Sequence, residues 1–260
     1  MNPLLDPGAR LVIGHRGARL DAPENTLPAF RLALAQGADA LELDVQVTAD
    51  GVPVVLHDAT LDRTTDLHGP VARLPWDAVR SADGGARYSP DGGRTFPWAG
   101  RDAGVPSLAQ VLETFPHTPL LVELKEAPAG PAIRAVVRDH DAEGRVAVAA
   151  FDAAALRDLQ GTEITVGASR RDTLRLFLAG SLGLLPGGQP RFYAVPDRYH
   201  GVAVPTPRVL AAARRLGRPV HVWTVNDPER AHMLWQRGVS GIITDRPATM
   251  HAERRRRSAP

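Results

Sequence analysis

Short apolar runs, many of them β-branched, recur along this 260-residue chain, and helical patterns fall between them. That rhythm constrains the fold more than any other feature, because strand–helix–strand repetition is the pattern of βα units and a parallel sheet. The runs predict strands at Leu11–Gly14, Leu41–Gln46, Leu120–Glu123, Val146–Ala150, Ile164–Ala168, Phe192–Val195, Val220–Thr224 and Gly241–Thr244. Helical stretches are expected at Leu27–Gln36, Ile133–His140, Ala153–Leu159, Thr173–Ala179, Pro207–Leu216 and Pro228–Arg237. Eight strands in a chain of this length fit a closed (β/α)8 TIM-type barrel better than an open doubly wound sheet. No GxGxxG opens the first helix, which counts against dinucleotide binding.

The alternation is broken once. From Val52 to about Pro106 a short strand-like run, Val52–Leu56, leads into a segment rich in Gly, Pro, Asp and Arg. A structureless stretch of that length is unusual inside a compact domain unless it serves function. It is expected to be an insertion after the second barrel strand, folded over one barrel mouth, with too few apolar residues for a core of its own. The barrel is expected over residues 1–247 and a basic tail over 248–260. The run Arg254-Arg255-Arg256-Arg257 reads as the frayed, solvated end of that tail.

With no cysteine, disulfide frameworks and thiolate metal sites are excluded. Arginine almost monopolises the 31 Lys and Arg residues, and Lys125 is the only lysine. The formal net charge of +2 implies a weak overall field, and no basic stripe is interleaved with aromatics. Both argue against a nucleic-acid or anionic-membrane binder. The N-terminus lacks a basic and apolar leader pattern, and no segment is apolar and charge-free for long enough to span a bilayer. A soluble, cytoplasmic protein without stable membrane insertion is expected; the oligomeric state is left open.

Polar residues collect at the ends of the predicted strands. His15 and Arg16 follow the first, Glu123 and Lys125 close the third, and Asn226 and Asp245 follow the last two. Glu42 and Asp44 lie two apart on the second strand, so the period of two points both to one face. Barrel active sites form where C-terminal strand ends converge. Either glutamate alone would pass for a salt-bridged core residue, but three inward carboxylates on adjacent strands are hard to explain that way. Like charges about 4 Å apart repel by roughly 4 kcal/mol at an effective dielectric near 20, so protonation or a cation must relieve them. All-oxygen ligation suits a hard divalent ion, Mg²⁺ or Ca²⁺, rather than zinc. His15 and His57 flank this cluster and suit proton transfer, one as base and one as acid. Arg16 offers a fork of donors to a phosphate, and Lys125 a point charge.

In chain order, His15-Arg16-Gly17, Pro23-Glu24-Asn25-Thr26, Glu42-Leu43-Asp44, His57-Asp58 and Arg63-Thr64-Thr65 are followed by Pro106-Ser107-Leu108, Glu123-Leu124-Lys125, Trp223-Thr224-Val225-Asn226 and Gly241-Ile242-Ile243-Thr244-Asp245-Arg246-Pro247. This ordered set resembles the glycerophosphodiester phosphodiesterase family over about Ile13 to Pro247. The resemblance implies a metal-dependent barrel enzyme that hydrolyses small glycerophosphodiesters to glycerol 3-phosphate and an alcohol. It implies Glu42, Asp44 and Glu123 as metal ligands and His15 and His57 as the catalytic pair, His15 the base and His57 the acid. It places Arg16 and Lys125 on the phosphate, Trp223 along the pocket, and Glu24 and Asn25 in a loop that shapes the site. One departure is Ala150 before Phe151, where the family often has a serine. An alternative within the same plan is a lysophospholipase D-type activity, which would need an apolar groove at the barrel mouth. The insertion, with Tyr88, Phe96 and Trp98 among Gly, Pro and Asp, is mixed and does not settle the point.

Overall fold

The computed structural model describes residues 2–126, 129–188 and 190–256. In chain order its strands are β1 Leu11–His15, β2 Ala40–Val47, β3 Pro53–Val55, β4 Leu120–Leu124, β5 Val146–Ala150, β6 Thr165–Val166, β7 Tyr193–Pro196, β8 Arg198–Tyr199, β9 Val202–Ala203, β10 Val220–Trp223 and β11 Gly241–Thr244. Its helices are α1 Leu27–Ala35, α2 Trp76–Val79, α3 Leu108–Thr114, α4 Ala129–Asp139, α5 Arg170–Ser181, α6 Pro207–Arg215, α7 Pro228–Gln236 and α8 Pro247–Arg256. Eight strands run parallel in the order β6-β5-β4-β2-β1-β11-β10-β7, with β3 antiparallel to β2. Two backbone hydrogen bonds, Arg191 N to Val166 O and Ala168 N to Phe192 O, each 2.9 Å, join the two ends of that sheet. The fold is the expected (β/α)8 barrel.

Strand alternation sorts each side chain to a layer. Val12, Leu41, Leu43, Val45, Val122 and Leu124 point outward and pack with the surrounding helices. Leu11, Ile13, Leu121, Ala147, Ala149 and Ile243 belong to a smaller inner cluster that Leu4 joins from the N-terminal 3₁₀ turn Pro3–Leu5. Glu42, Asp44 and Glu123 are the intervening residues, so the register that buries Leu41, Leu43 and Val122 sends three carboxylates inward. Helix starts are written into the chain: Thr26 caps α1, whose first turn holds Pro28, and Ser107 and Ser169 form capping boxes at α3 and α5.

Several expectations need correction. The helix expected at Ala153–Leu159 is only a 3₁₀ turn, Arg157–Leu159. Seven residues are marginal for nucleation, and the Asp152 carboxylate takes the Ala154 N–H at 2.9 Å, which favours a turn. The strand expected at Ile164–Ala168 is regular only over Thr165–Val166, and the β8–β9 hairpin was not foreseen. The insertion does carry a small core: Val54, Leu56, Leu61, Val71, Val79, Ala82 and Val105 form one buried cluster. Finally, the C-terminal segment to Arg256 is helix α8 rather than a frayed tail. Met250 is fully buried, and Arg254 pairs with Asp39, whose carboxylate also accepts the Val12 N–H at 2.7 Å. Arg257 lies outside the described residues. Among the described residues no helix is long and apolar enough to cross a membrane.

Candidate active site

The adjacent strands β2 and β4 bring together the three inward carboxylates. Ligand oxygens of Glu42, Asp44 and Glu123 all lie within 4.8 Å of one another, with Glu42 and Asp44 buried. Burial first, then the negative charges of Asp44 and Glu123, push the Glu42 carboxyl well above its ordinary range. Asp44 goes the other way: burial raises it, but the positive charges of Lys125 and Arg16 outweigh that and lower it.

Cations hold the cluster from both sides. Lys125 Nζ stands 2.8 Å from Glu123 Oε1 and 2.8 Å from Asp44 Oδ1, the latter without hydrogen-bond alignment. Arg16 Nε is 3.0 Å from Asp44 Oδ2, again as an unaligned ion pair, and its Nη1 donates to Glu24 Oε1 at 2.8 Å. The Arg16 backbone N–H lies 3.0 Å from Glu42 Oε2, a position reached because Arg16 adopts φ 54° in the turn after β1. Asn25, also left-handed at φ 59°, donates its side-chain amide to Asp44 Oδ2 at 2.9 Å. Arg63 donates to both Glu24 and Asp58. Against the upward pull of burial, Arg63 and Arg16 bring the Glu24 carboxyl down to about 2.

Each expected catalytic histidine has one ring nitrogen clasped by a carboxylate. His15 Nδ1 is 2.6 Å from Asp245 Oδ1, and Asp245 Oδ2 accepts the Asn226 amide at 2.8 Å. Arg19 approaches the same carboxylate at 3.5 Å. His57 Nδ1 is 2.6 Å from Asp58 Oδ1. The Arg63 hydrogen bond holds Asp58 at about 2, against burial and with help from His57. The insertion aims His57: Leu56 N bonds Asp44 O at 3.0 Å, and Gln46 Nε2 donates to His57 O at 3.1 Å.

A cavity of about 820 Å³ opens over this constellation, lined by His15, Arg16, Glu42, His57, Glu123, Lys125 and Trp223 among others. Every residue expected at the site is therefore near it: ten side chains from distant parts of the chain, with Glu24 and Asn25 reaching it through Arg16 and Asp44. Asp245, Asn226, Asp58 and Arg63 are the supporting residues to which the sequence assigned no role. Asp245 and Asn226 had been visible as polar residues at strand ends, but the pairing of Asp245 with His15, 230 residues away, was not.

The description "Glycerophosphoryl diester phosphodiesterase family" belongs to the family model that matches residues 15–249. A glycerophosphodiester phosphodiesterase of Caldanaerobacter subterraneus is 31% identical over 252 residues, covering 92% of this chain and 96% of the relative. Among solved structures, the glycerophosphodiester phosphodiesterase of Agrobacterium tumefaciens superposes with a TM-score of 0.73 at 28% identity, over 93% of this chain and 99% of that one. A glycerophosphoryl diester phosphodiesterase domain from Mycobacterium tuberculosis, at 22% identity, shares the fold with a TM-score of 0.84 over 95% and 99% of the two chains.

Proposed function

Since the chain belongs to the glycerophosphoryl diester phosphodiesterase family and hydrolyses glycerophosphodiesters, we propose that it does so with Glu42, Asp44 and Glu123 as ligands of a divalent cation and His15 and His57 as base and acid. The observation that carries this reading is the buried carboxylate cluster between two histidines that are each anchored by an aspartate.

The residues fit a hard cation: all donors are oxygens, and Asp44 Oδ1 is buried without an aligned hydrogen bond. When bound, Mg²⁺ or Ca²⁺ supplies Lewis-acid polarisation of the phosphoryl oxygens. Arg16 and Lys125 add positive charge where the phosphate develops negative charge; their own carboxylate partners keep both side chains in place. Asp245 accepts from His15 Nδ1–H, which fixes the tautomer and leaves the Nε2 lone pair to take a proton from the nucleophile, water or the substrate's own neighbouring hydroxyl. Asp58, hydrogen-bonded to His57 Nδ1, orients the ring so that His57 can deliver a proton to the departing oxygen.

Leaving-group dependence tests the division of labour. An acid matters in proportion to how poorly the alcohol leaves, typically by 10²–10⁴ in rate. His57→Ala should be nearly inactive on glycerophosphocholine yet keep much of its rate on a p-nitrophenyl phosphodiester, while His15→Ala is impaired on both. The reverse pattern exchanges the roles, and equal losses on both substrates in both variants would exclude an acid role for either.

A further inference from the structure

The end of α5 presents leucine to solvent where a surface helix ordinarily turns polar side chains outward. Of the eleven large hydrophobic side chains exposed among the described residues, four fall within eight positions: Leu178 at 56%, Leu182 at 76%, Leu184 at 59% and Leu185 at 43%. None of the four lines the catalytic cavity. Leu178 and Leu182 are four apart and share a helix face. The chain beyond them is held in place. Gly183, left-handed at φ 75°, donates its N–H to Gly180 O at 3.0 Å, and the Leu184 N–H reaches Ala179 O at 2.8 Å. These are the two bonds of a Schellman turn, which commonly pairs the residue after its glycine with an apolar residue in the last helical turn. Here the residues at those two positions, Leu184 and Leu178, both stay more than half open.

Arginine surrounds these leucines. A groove of about 530 Å³ between the end of α5 and α6 is lined by Arg208 and Arg215 and by no carboxylate. Arg208 donates to Ser181 O at 3.1 Å and Arg215 to Gly183 O at 3.4 Å. A guanidinium carries five N–H donors, so each has others to offer an anion. Residues 170–188 and 207–218 together hold seven arginines and one acid, Asp172. The near-balanced net charge, which counts against an anionic-membrane binder, averages this face away.

We propose that the leucine turn and its arginines form a docking surface for a bilayer containing anionic phospholipid. Leu178, Leu182, Leu184 and Leu185 enter the boundary of the acyl region, and Arg208 and Arg215 receive lipid phosphates. Apolar area and cationic charge on one face are the two attractions that hold an element in the plane of a membrane without spanning it. A second copy docked through the same patch would set arginine against arginine. Protein interfaces concentrate their energy in aromatic anchors, and residues 178–188 contain none.

The test is partition of the whole protein onto large unilamellar vesicles, of phosphatidylcholine alone or with about one-third phosphatidylglycerol. Each arginine near an anionic surface is worth about fivefold, so the mixed vesicles should bind at least tenfold more tightly. That advantage should shrink as salt rises. Arg208→Gln with Arg215→Gln should weaken binding to the mixed vesicles at least tenfold. Leu182→Ser with Leu184→Ser, which leaves every arginine in place, should do the same without changing the melting temperature, since both side chains are exposed. If the arginine variant melts early, the leucine variant decides alone. Failure to bind mixed vesicles, equal binding to both kinds, or binding that the leucine variant leaves intact overturns the proposal. Self-association in sedimentation that the leucine variant abolishes, without vesicle binding, overturns it as well and assigns the face to a second copy.

Discussion

Glu42 is the side chain on which the electrostatics of the site turn. Its carboxyl is buried, with Asp44 and Glu123 beside it, and burial and those two charges raise its pKa above the ordinary value of 4.5. A carboxyl raised in the folded state binds more protons there than in the unfolded chain. The stability that Glu42 contributes to the metal-free protein is thus fully present below about pH 4.5 and is lost as pH rises through the folded value. A divalent cation competes with that proton, so the thermal shift on adding Mg²⁺ or Ca²⁺ should grow with pH. Glu42→Gln should flatten the alkaline decline of Tm in chelator and should cut the metal-induced shift. Melting curves across pH, with and without metal, check both. A decline that persists unchanged in Glu42→Gln would assign it to some other group. The carboxylates themselves were legible from their two-residue spacing; the cations that clasp them in pairs were not, because Lys125 and Arg16 reach Asp44 across strand pairings.

The turn between β1 and α1 couples fold to site. Arg16 and Gly17 are both left-handed, at φ 54° and 86°, and this brings the Arg16 N–H to Glu42 while the chain passes tightly over α1. A Cβ on Gly17 would lie 2.6 Å from the Ala29 carbonyl carbon. Backbone atoms cannot step aside as a flexible side chain does, so Gly17→Ala should cost about 1–3 kcal/mol of overpacking beyond roughly 1 kcal/mol for the left-handed conformation. Displacement of Arg16 should also lower kcat/KM, by about tenfold if some 1.4 kcal/mol of transition-state stabilisation is lost. Gly51 is the control: it is equally left-handed, at φ 85°, but nothing lies within 4 Å of its would-be Cβ. Gly51→Ala should lose only the conformational part, about 1 kcal/mol. Denaturant melts of the two variants decide the matter, since equal losses would refute the close-approach argument. The same scale shows where the charge run misled: α8 has a run of arginines in its last turn, yet Arg254 and Met250 tie it to the barrel.

Across the whole molecule the barrel gathers its charged cluster at the catalytic mouth and is sealed at the other end. There Leu4 is fully buried, and Leu4 O lies 3.0 Å from Nε2 of the buried His221. Burial lowers the His221 pKa to about 4, only partly offset by that hydrogen bond. A histidine depressed from 6.5 to about 4 binds fewer protons folded than unfolded, so stability is present above pH 6.5 and is lost as pH falls toward 4. The loss should amount to a few kcal/mol, since each pKa unit is worth about 1.4 kcal/mol. His221→Leu should remove this acid sensitivity between pH 6.5 and 4, though it leaves Leu4 O without its partner. The slope of Tm against pH in that window is the measurement, and an unchanged slope would clear His221 of responsibility.

Order along the chain was enough for the barrel, for the inward direction of Glu42, Asp44 and Glu123, and for the motifs around His15 and His57. Those features follow from local rules: the period of two in a strand, the caps that open helices, and the consistent sequence of βα units. What folding alone settled are pairings at long separation. The His15–Asp245 contact joins residues 230 apart, made neighbours because β1 and β11 lie side by side. The insertion's small core aims His57 at the carboxylates, and the cavity wall opposite gathers Leu174 and Phe177 from α5 and Tyr199 and Val202 from the β8–β9 hairpin. None of these leaves a periodic mark in the sequence, because each depends on barrel closure, which brings strand ends together irrespective of their distance along the chain.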